Sequence, residues 1–263
     1  MSVKWINTSQ LSFNSLLLFE RIQIHWLEGY AHERELAIAL KVNPEVEWFL
    51  HHKCPEISSY LDKIASTVPS ILEADEIREA EQNILAQLND WITYVIDPAI
   101  YDKQAFLKWD SNELLSIVDF GNKIVLDIGA GTGRLAFVAA SKAKIVYAVE
   151  PVGNLRFYLR EKAARLGIRN LYPIDGLITQ ISFSDNFADV VISGHVFPDI
   201  SAEQIAATDE ISRVIKTGGM VIHCPGNMDE DNATHRFLLD RGYNWGRFEE
   251  PTDGWRRKYW KTV

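Results

Sequence analysis

One stretch constrains this chain more than any other: Ile124-Val125-Leu126-Asp127-Ile128-Gly129-Ala130-Gly131-Thr132-Gly133-Arg134-Leu135. A short run of branched apolar residues reads as a buried strand. Three alternating glycines follow, and then a helix-period segment begins. Glycine tolerates positive φ and lets a ligand approach the backbone. The first turn of a helix presents N–H groups that lack intrahelical partners. Strand, glycine turn and helix in this order belong to open parallel sheets, which bind ligands beyond the carboxyl ends of their strands. The spacing is G-x-G-x-G, with Arg134 next, where a dinucleotide fold has G-x-G-x-x-G around its pyrophosphate. That disfavours an NAD site without removing it as an alternative.

The sequence on either side of this stretch differs in period. Residues 1–120 hold helix-period segments and no convincing strand, the clearest being Ile71–Ile96 and a shorter one Ile57–Ile64. Leu16–Trp26 fits neither period well. Asn43-Pro44 and Cys54-Pro55 punctuate the segments, because a residue ahead of proline resists helix. Asp110 with Glu113 resembles a capping box, as do Ser201 and Gln204. From residue 121 strands and helices alternate. Strands are expected at 124–128, 145–149, 170–174, 188–193 and 220–224, with helices at 135–141, 155–166, 202–215 and 233–241. Two closing strands, 245–249 and 255–262, are joined by Pro251-Thr252-Asp253-Gly254, the chemistry of a hairpin turn. Such alternation predicts an α/β parallel sheet with helices on both faces. The expected division is residues 1–120 as a helical extension and 121–263 as the ligand-binding domain.

Two further signals stand at strand ends. The second strand finishes on Glu150-Pro151, where a carboxylate can accept bonds from both hydroxyls of a ribose. The third is followed by Asp175-Gly176-Leu177, where an adenine could rest beside the acid and the apolar residue. With Leu126 to Gly133 these residues resemble the class I S-adenosylmethionine-dependent methyltransferases. Asp189 to His195 looks like that family's fourth strand and the loop after it, and Lys216 to Ile222 like the turn into its fifth strand. The resemblance covers about residues 121–263; residues 1–120 match no motif of the family. It implies a Rossmann-like, seven-stranded, mostly parallel sheet with an antiparallel edge hairpin, preceded by the mainly helical N-terminal extension. It implies S-adenosyl-L-methionine as cofactor. Backbone at Gly129, Ala130, Gly131 and Gly133 would pack on the methionine portion, Asp127 would orient the amino group, and Glu150 would hold the ribose. Pro151, Asp175, Gly176, Leu177, Ser193 and Gly194 would complete the cofactor site.

A sulfonium already activates its methyl group, so the protein need only align a nucleophile and exclude water. A general base depends on the acceptor's acidity. His195, after the fourth strand, is the candidate catalytic residue, with a satisfied structural histidine as the alternative. Tyr101 and Trp109, just upstream of the sheet, are candidate substrate contacts, with core packing as the alternative. His51, His52 and Cys54 cluster without a second ligand pair at zinc spacing, so no metal is expected.

Bulk properties narrow the partner. Lys plus Arg is 27 against 36 Asp plus Glu, a net charge of -9. A duplex binder needs a basic face, so nucleic acid is disfavoured. The Ser193-Gly194-His195-Val196 loop lacks the Asn/Asp-Pro-Pro-Tyr pattern of enzymes that methylate amino groups of DNA or protein glutamine. A small-molecule acceptor is therefore favoured, and the extension reads as a lid, a substrate pocket or a homodimer contact. Arg256, Arg257, Lys258 and Lys261 read as a solvated strand face. Two cysteines, no leader pattern and no long apolar run point to a cytoplasmic protein with no membrane segment. The competing functions are a non-catalytic module that keeps this fold and an NAD-dependent oxidoreductase.

Overall fold

Asn43-Pro44 and Cys54-Pro55 each start an element. Pro44 opens a helix at Pro44–Lys53 and Pro55 a 3-10 turn at Pro55–Ile57, as the missing N–H and fixed φ of proline allow at a first helical position. The computed structural model describes residues 4–196, 202–226, 230–250 and 254–263. The chain divides into two units, Met1–Asp102 and Lys103–Val263.

The first unit contains α1 (Arg21–His25), α2 (Glu33–Val42), α3 (Pro44–Lys53), α4 (Ser58–Ala65), α5 (Ala74–Gln87), α6 (Asn89–Ile96) and α7 (Pro98–Asp102). The single helical segment expected over Ile71–Ile96 is broken at Leu88, whose ψ of 20° ends α5 before α6 begins. The ambiguous Leu16–Trp26 stretch resolves into a 3-10 helix at Phe13–Leu18 and α1, which Glu20 and Gln23 close with a capping box. Leu36, Leu40, Leu50, Leu61, Ile84 and Ile92 are fully buried in its core. Among the polar groups buried with them, Asn89 accepts from the Trp5 and Ile6 amides and donates to the Ile6 carbonyl. Gln23 donates to the Trp91 carbonyl. His52 Nδ1 meets the Trp48 carbonyl and Cys54 Sγ meets Glu56, so these side chains serve local contacts.

The second unit begins before the strands. Residues 103–120, grouped by sequence with the helical half, belong to it because Trp109, Leu114 and Phe120 are buried in its core. In order come α8 (Ser111–Leu115), β1 (Ile124–Ile128), α9 (Arg134–Ala140), β2 (Ile145–Val149), α10 (Gly153–Arg165), β3 (Leu171–Ile174), β4 (Ala188–Gly194), α11 (Ala202–Val214), β5 (Ile215–Cys224), α12 (Ala233–Asp240), β6 (Asn244–Glu250) and β7 (Gly254–Thr262). The seven strands form one sheet in the order β3-β2-β1-β4-β5-β7-β6. β1 to β5 pair parallel; β7 pairs antiparallel with β5 and with β6. One face packs under α9 and α10 through Val125, Ala136, Leu159 and Ile192. The other packs under α11 and α12 through Leu126, Val191, Ile211 and Leu238. Continuous apolar strands are what burial on both faces requires.

Three local expectations are corrected. β5 was expected from Met220 but starts at Ile215; the register shift against β4 absorbs Lys216–Gly219 as an irregularity in the strand. Asp110 caps α8 by accepting from the Asn112 amide, but Glu113 turns to Lys258 instead of completing a capping box. The basic strand is not solvated: Arg257 is 7% and Lys258 2% exposed. Alternation along β7 sends Arg257 to Asp231 and the Trp245 ring, and Lys258 to Glu113 between the rings of Trp109 and Phe248. The turn at 251–253 and the cap at Ser201 lie outside the described residues.

Candidate active site

β1 and β4 are adjacent at the centre of the sheet, so their carboxyl ends and that of β2 open side by side. After β1 the chain turns through Gly129, Gly131 and Gly133, at φ of 67°, 54° and 90°. These are left-handed conformations that side chains rarely adopt. A Cβ on Gly129 would overlap Val196, and one on Gly133 would meet Phe137 at 2.6 Å. The loop is tied across the sheet: the Gly129 and Ala130 amides donate to the Val149 carbonyl at 2.8 and 3.1 Å.

Glu150, 5% exposed, closes the same tie from the other side. Its carboxylate accepts from the Gly131 amide and from the Val152 amide, each at 2.9 Å. Asp127 lies one turn of chain earlier, 1% exposed, and neither of its oxygens has a hydrogen-bond partner among the described residues. Burial pushes its carboxyl well above the usual carboxylate range. The nearby Ala136 N–H, outside hydrogen-bond geometry, works against this, and the negative charge of Glu150 adds to it. Such a carboxyl lacks the partner that a buried polar group ordinarily has.

The rim is built by β2, β3 and their loops. Arg156 on α10 donates to the Glu150 and Pro151 carbonyls at 2.7 and 2.8 Å and pairs with Asp175 at 2.9 Å. It thereby joins the ends of β2 and β3. Gly176 lies against Val149, where an added Cβ would come within 2.8 Å, and Leu177 bonds to Gln180 through the backbone. Asp175 itself is largely exposed.

Beyond β4, Ser193 is buried and bonds through Oγ to His223 Nδ1 at 2.8 Å, and His223 Nε2 meets the Tyr243 hydroxyl at 3.2 Å. Burial pushes the His223 imidazole down to about 3 and the Tyr243 phenol up to about 12, so both stay neutral. Gly194 faces Leu135. His195 holds a φ of 55°, and its amide donates to the Cys224 carbonyl at 3.0 Å. Its ring rests on Gly226, where a Cβ would overlap it, and stands edge-on to Phe106 at 5.3 Å. The residue as a whole is exposed. Even so, the protein packed around it disfavours the charged form, and the positive charges of Arg256 and Lys258 add to this. Its pKa therefore lies below the ordinary imidazole value.

The chain resembles known proteins over this same region. A family model described as a methyltransferase domain matches residues 126–223. An uncharacterised methyltransferase of Geobacillus thermodenitrificans is 26% identical over 167 residues, 62% of this chain and 74% of its own. An uncharacterised protein of Methanocaldococcus jannaschii is 37% identical over 93 residues, 35% of this chain and 34% of its own. A solved S-adenosylmethionine-dependent methyltransferase from Aquifex aeolicus superposes with a TM-score of 0.51 at 19% identity, over 63% of this chain and 97% of that one. Residues 126–223 thus carry a methyltransferase domain, on the fold of the S-adenosylmethionine-dependent methyltransferases.

In this methyltransferase the residues present fit S-adenosyl-L-methionine, its cofactor. The buried Asp127 carboxyl without a bonding partner is what an ammonium would complete, and the glycine cradle leaves no room for side chains beside it. The structure brings Asp127, Gly129, Ala130, Gly131, Gly133, Glu150, Pro151, Ser193, Gly194 and His195 to one end of the sheet. Asp175, Gly176 and Leu177 follow β3 at that end. Trp109 is buried in the core, with the Arg134 guanidinium 4.0 Å and the Lys258 ammonium 4.5 Å from its ring. Tyr101 belongs to the first unit, stacked on Trp5 at 5.0 Å and edge-on to Tyr94 at 5.0 Å. Arg156, Gly226 and Phe106 went unread in the sequence. Arg156 is one basic residue on a polar helix face, and no local pattern marks it. Among the described residues no group of three or more His, Cys, Asp or Glu could hold a metal ion. No described helix is long and apolar enough to cross a membrane.

Proposed function

We propose that the enzyme transfers a methyl group from S-adenosyl-L-methionine to a small-molecule acceptor that reaches the sheet end beside His195. The observation that carries this reading is the pair of acids at adjacent strand ends: Asp127, buried with no bonding partner among the described residues, and Glu150, held by the glycine loop. A bound S-adenosyl-L-methionine would supply an electrophilic methyl on its sulfonium. Asp127 would hold the amino group, and the Gly129–Gly133 backbone the methionine chain. Glu150, fixed by two amides, would take the ribose hydroxyls. Asp175, Gly176 and Leu177 would border the adenine, with Arg156 keeping β2 and β3 in register around it. Ser193 and Gly194 would line the floor. Neutral His195 can accept the proton of an acceptor's hydroxyl as the new bond forms, or the proton released by the ammonium that a neutral amine acceptor becomes once methylated. For Trp109, whose ring is buried between two cations, the supported role is to hold residues 105–115 beside the site; Tyr101 stays a proposed acceptor contact.

The net charge of -9 supports a small molecule over nucleic acid. Cys54 and Cys224, buried thiols outside any disulfide, support a reducing compartment such as the cytoplasm. The test is thermal unfolding with S-adenosylhomocysteine against NAD as control, followed by a screen of small acceptors for release of S-adenosylhomocysteine. A shift with S-adenosylhomocysteine alone, and turnover in the screen, is expected. A shift with NAD alone overturns the cofactor assignment, and turnover only on nucleic acid or protein overturns the acceptor class.

A further inference from the structure

Ser193 and His223 stand opposite one another in the parallel register of β4 and β5. They lie two residues beyond Val191 and Val221, which pack on the α11 and α12 side, so strand alternation puts all four on that face. Tyr243, which follows α12, completes a buried chain of hydrogen bonds. Ser193 Oγ meets His223 Nδ1 at 2.8 Å, and His223 Nε2 meets the Tyr243 hydroxyl at 3.2 Å. Neither hydroxyl has another hydrogen-bond partner among the described residues.

This chain has a direction. Burial keeps His223 and Tyr243 neutral. A neutral imidazole donates at one nitrogen and accepts at the other, and each hydroxyl carries one proton. Two bonds use two of these protons, so one hydroxyl proton at an end of the chain is left over. The surroundings decide which end. Tyr243 is buried in the core with Leu238 and Val221, where a left-over proton would face apolar side chains. A phenol is also a stronger donor than an alkyl hydroxyl. Ser193 is next to last in β4 and pairs with Ile128, the residue before Gly129, so a ligand at the strand ends can reach its proton.

We propose that His223 and Tyr243 are positioning residues of the methyltransferase site. Tyr243 donates to Nε2, which holds His223 as the Nδ1–H tautomer, and Nδ1–H donates to Ser193 Oγ. On the reading that this sheet end binds S-adenosyl-L-methionine, the Ser193 hydroxyl keeps its proton for a hydrogen-bond acceptor of that cofactor. Both positioning residues act through Ser193. Histidine in water prefers the other neutral tautomer, so the protein has to impose this one.

The test has two readouts on the full chain. Proton–nitrogen NMR of isotope-labelled protein reads the tautomer. His223 is assigned by its loss in His223→Gln or, where that variant does not fold, by its contact with the Tyr243 ring. Nδ1–H is expected in wild type. Tyr243→Phe should shift it toward Nε2–H, because Nε2 loses its donor and the Ser193 hydroxyl then donates to Nδ1. A role in packing alone, which Phe preserves, would leave the tautomer in place. Calorimetric titration with S-adenosylhomocysteine reads the consequence. Ser193→Ala should weaken binding about fivefold, the weight of one hydrogen bond. Tyr243→Phe should weaken it comparably, and the double variant no further than either single change. Nε2–H in wild type, a tautomer unmoved in Tyr243→Phe, binding unchanged in Ser193→Ala, or additive losses overturns the proposal. A wild-type chain that shows the Nδ1–H tautomer but binds no S-adenosylhomocysteine instead overturns the cofactor reading, and with it the ligand assigned to the Ser193 proton.

Discussion

The Gly131 amide donates to the Glu150 carboxylate at 2.9 Å, so the glycine loop after β1 and the acid at the end of β2 are one bonded unit. Glu150 also accepts from the Val152 amide at 2.9 Å. Removing the carboxylate therefore has two consequences, one for the ligand and one for the fold.

Glu150→Ala leaves two buried donors without an acceptor, each worth about 1–3 kcal/mol. The expected outcome is a fall in Tm of several degrees without ligand, since about 1 kcal/mol shifts a unit of this size by roughly 2–4 °C. The stabilisation by S-adenosylhomocysteine should be lost as well. Glu150→Gln keeps an acceptor at one oxygen, so it should recover part of the stability but not the ribose contact. Differential scanning calorimetry with and without S-adenosylhomocysteine checks both. Equal ligand stabilisation in wild type and Glu150→Gln would remove Glu150 from the ribose site.

Asp127 makes the opposite trade. Its carboxyl is buried with no bonding partner among the described residues, and burial, with the charge of Glu150 adding to it, raises its pKa. A raised carboxyl pKa means the folded state holds a proton that the unfolded state has released. Stability then falls as pH rises from the unfolded value, near 4, through the folded one. Asp127→Asn removes that charge, so the variant should be more stable than wild type at neutral pH by about 1 kcal/mol or more, and its stability should lose this pH slope. It should also bind S-adenosylhomocysteine more weakly, because an amide cannot pair with an ammonium as a carboxylate does. Urea unfolding from pH 4 to 8, with calorimetric titration at pH 7, gives both readouts. A variant less stable than wild type at pH 7 would mean that Asp127 is bonded in the unliganded protein.

How much of this was legible in the sequence depends on how local the cause is. The run from Ile124 to Gly133 was readable because strand period and glycine chemistry act within a few residues, and the parallel pairing of β1 with β2, β2 with β3 and β4 with β5 follows from the helices between them. Lys258 was not: strand alternation gives it a face, but only tertiary packing puts Trp109, Phe248 and Glu113 around that face. The start of β5 was missed because Lys216-Thr217-Gly218-Gly219 reads as a turn, and turn residues inside a bulge look the same in sequence. In the candidate site the acids at strand ends announced themselves. Arg156, Gly226 and Phe106 act across long sequence separations that one chain does not encode locally.

The charges near His195 give a titration that needs no acceptor. Burial and the positive charges of Arg256 and Lys258 lower its pKa from the ordinary 6.5. Removing one positive charge should move it back. The expected result is a His195 resonance with a midpoint below 6.5 in wild type and a higher midpoint in Arg256→Gln. Proton NMR of the imidazole, assigned by comparison with His195→Gln, checks this. A midpoint unmoved by Arg256→Gln would mean that desolvation alone sets the value. If His195 is the base, the acid limb of the pH–rate profile should follow the same midpoint in both proteins.

Lys258 and Glu113 form the most deeply buried ion pair among the described residues, 2% and 13% exposed at their side chains. Taking one partner away leaves the other charge in a low-dielectric site, which typically costs about 3–5 kcal/mol. Glu113→Ala should therefore strip most of the stability of the second unit. Replacing both partners by apolar residues of similar size removes two desolvation penalties together with one attraction and is often near neutral. The double variant Glu113→Leu with Lys258→Met should thus be clearly more stable than Glu113→Ala. The ammonium also lies 4.5 Å from the Trp109 ring and 4.4 Å from the Phe248 ring, contacts that Met can replace only in part. The double variant is accordingly expected to fall below wild type by about 1 kcal/mol. A thermodynamic cycle from urea unfolding measures the coupling. Strict additivity of the two single changes would show that the pair contributes nothing beyond its separate contacts, and residues 105–115 would then be held beside the site by Trp109 packing alone.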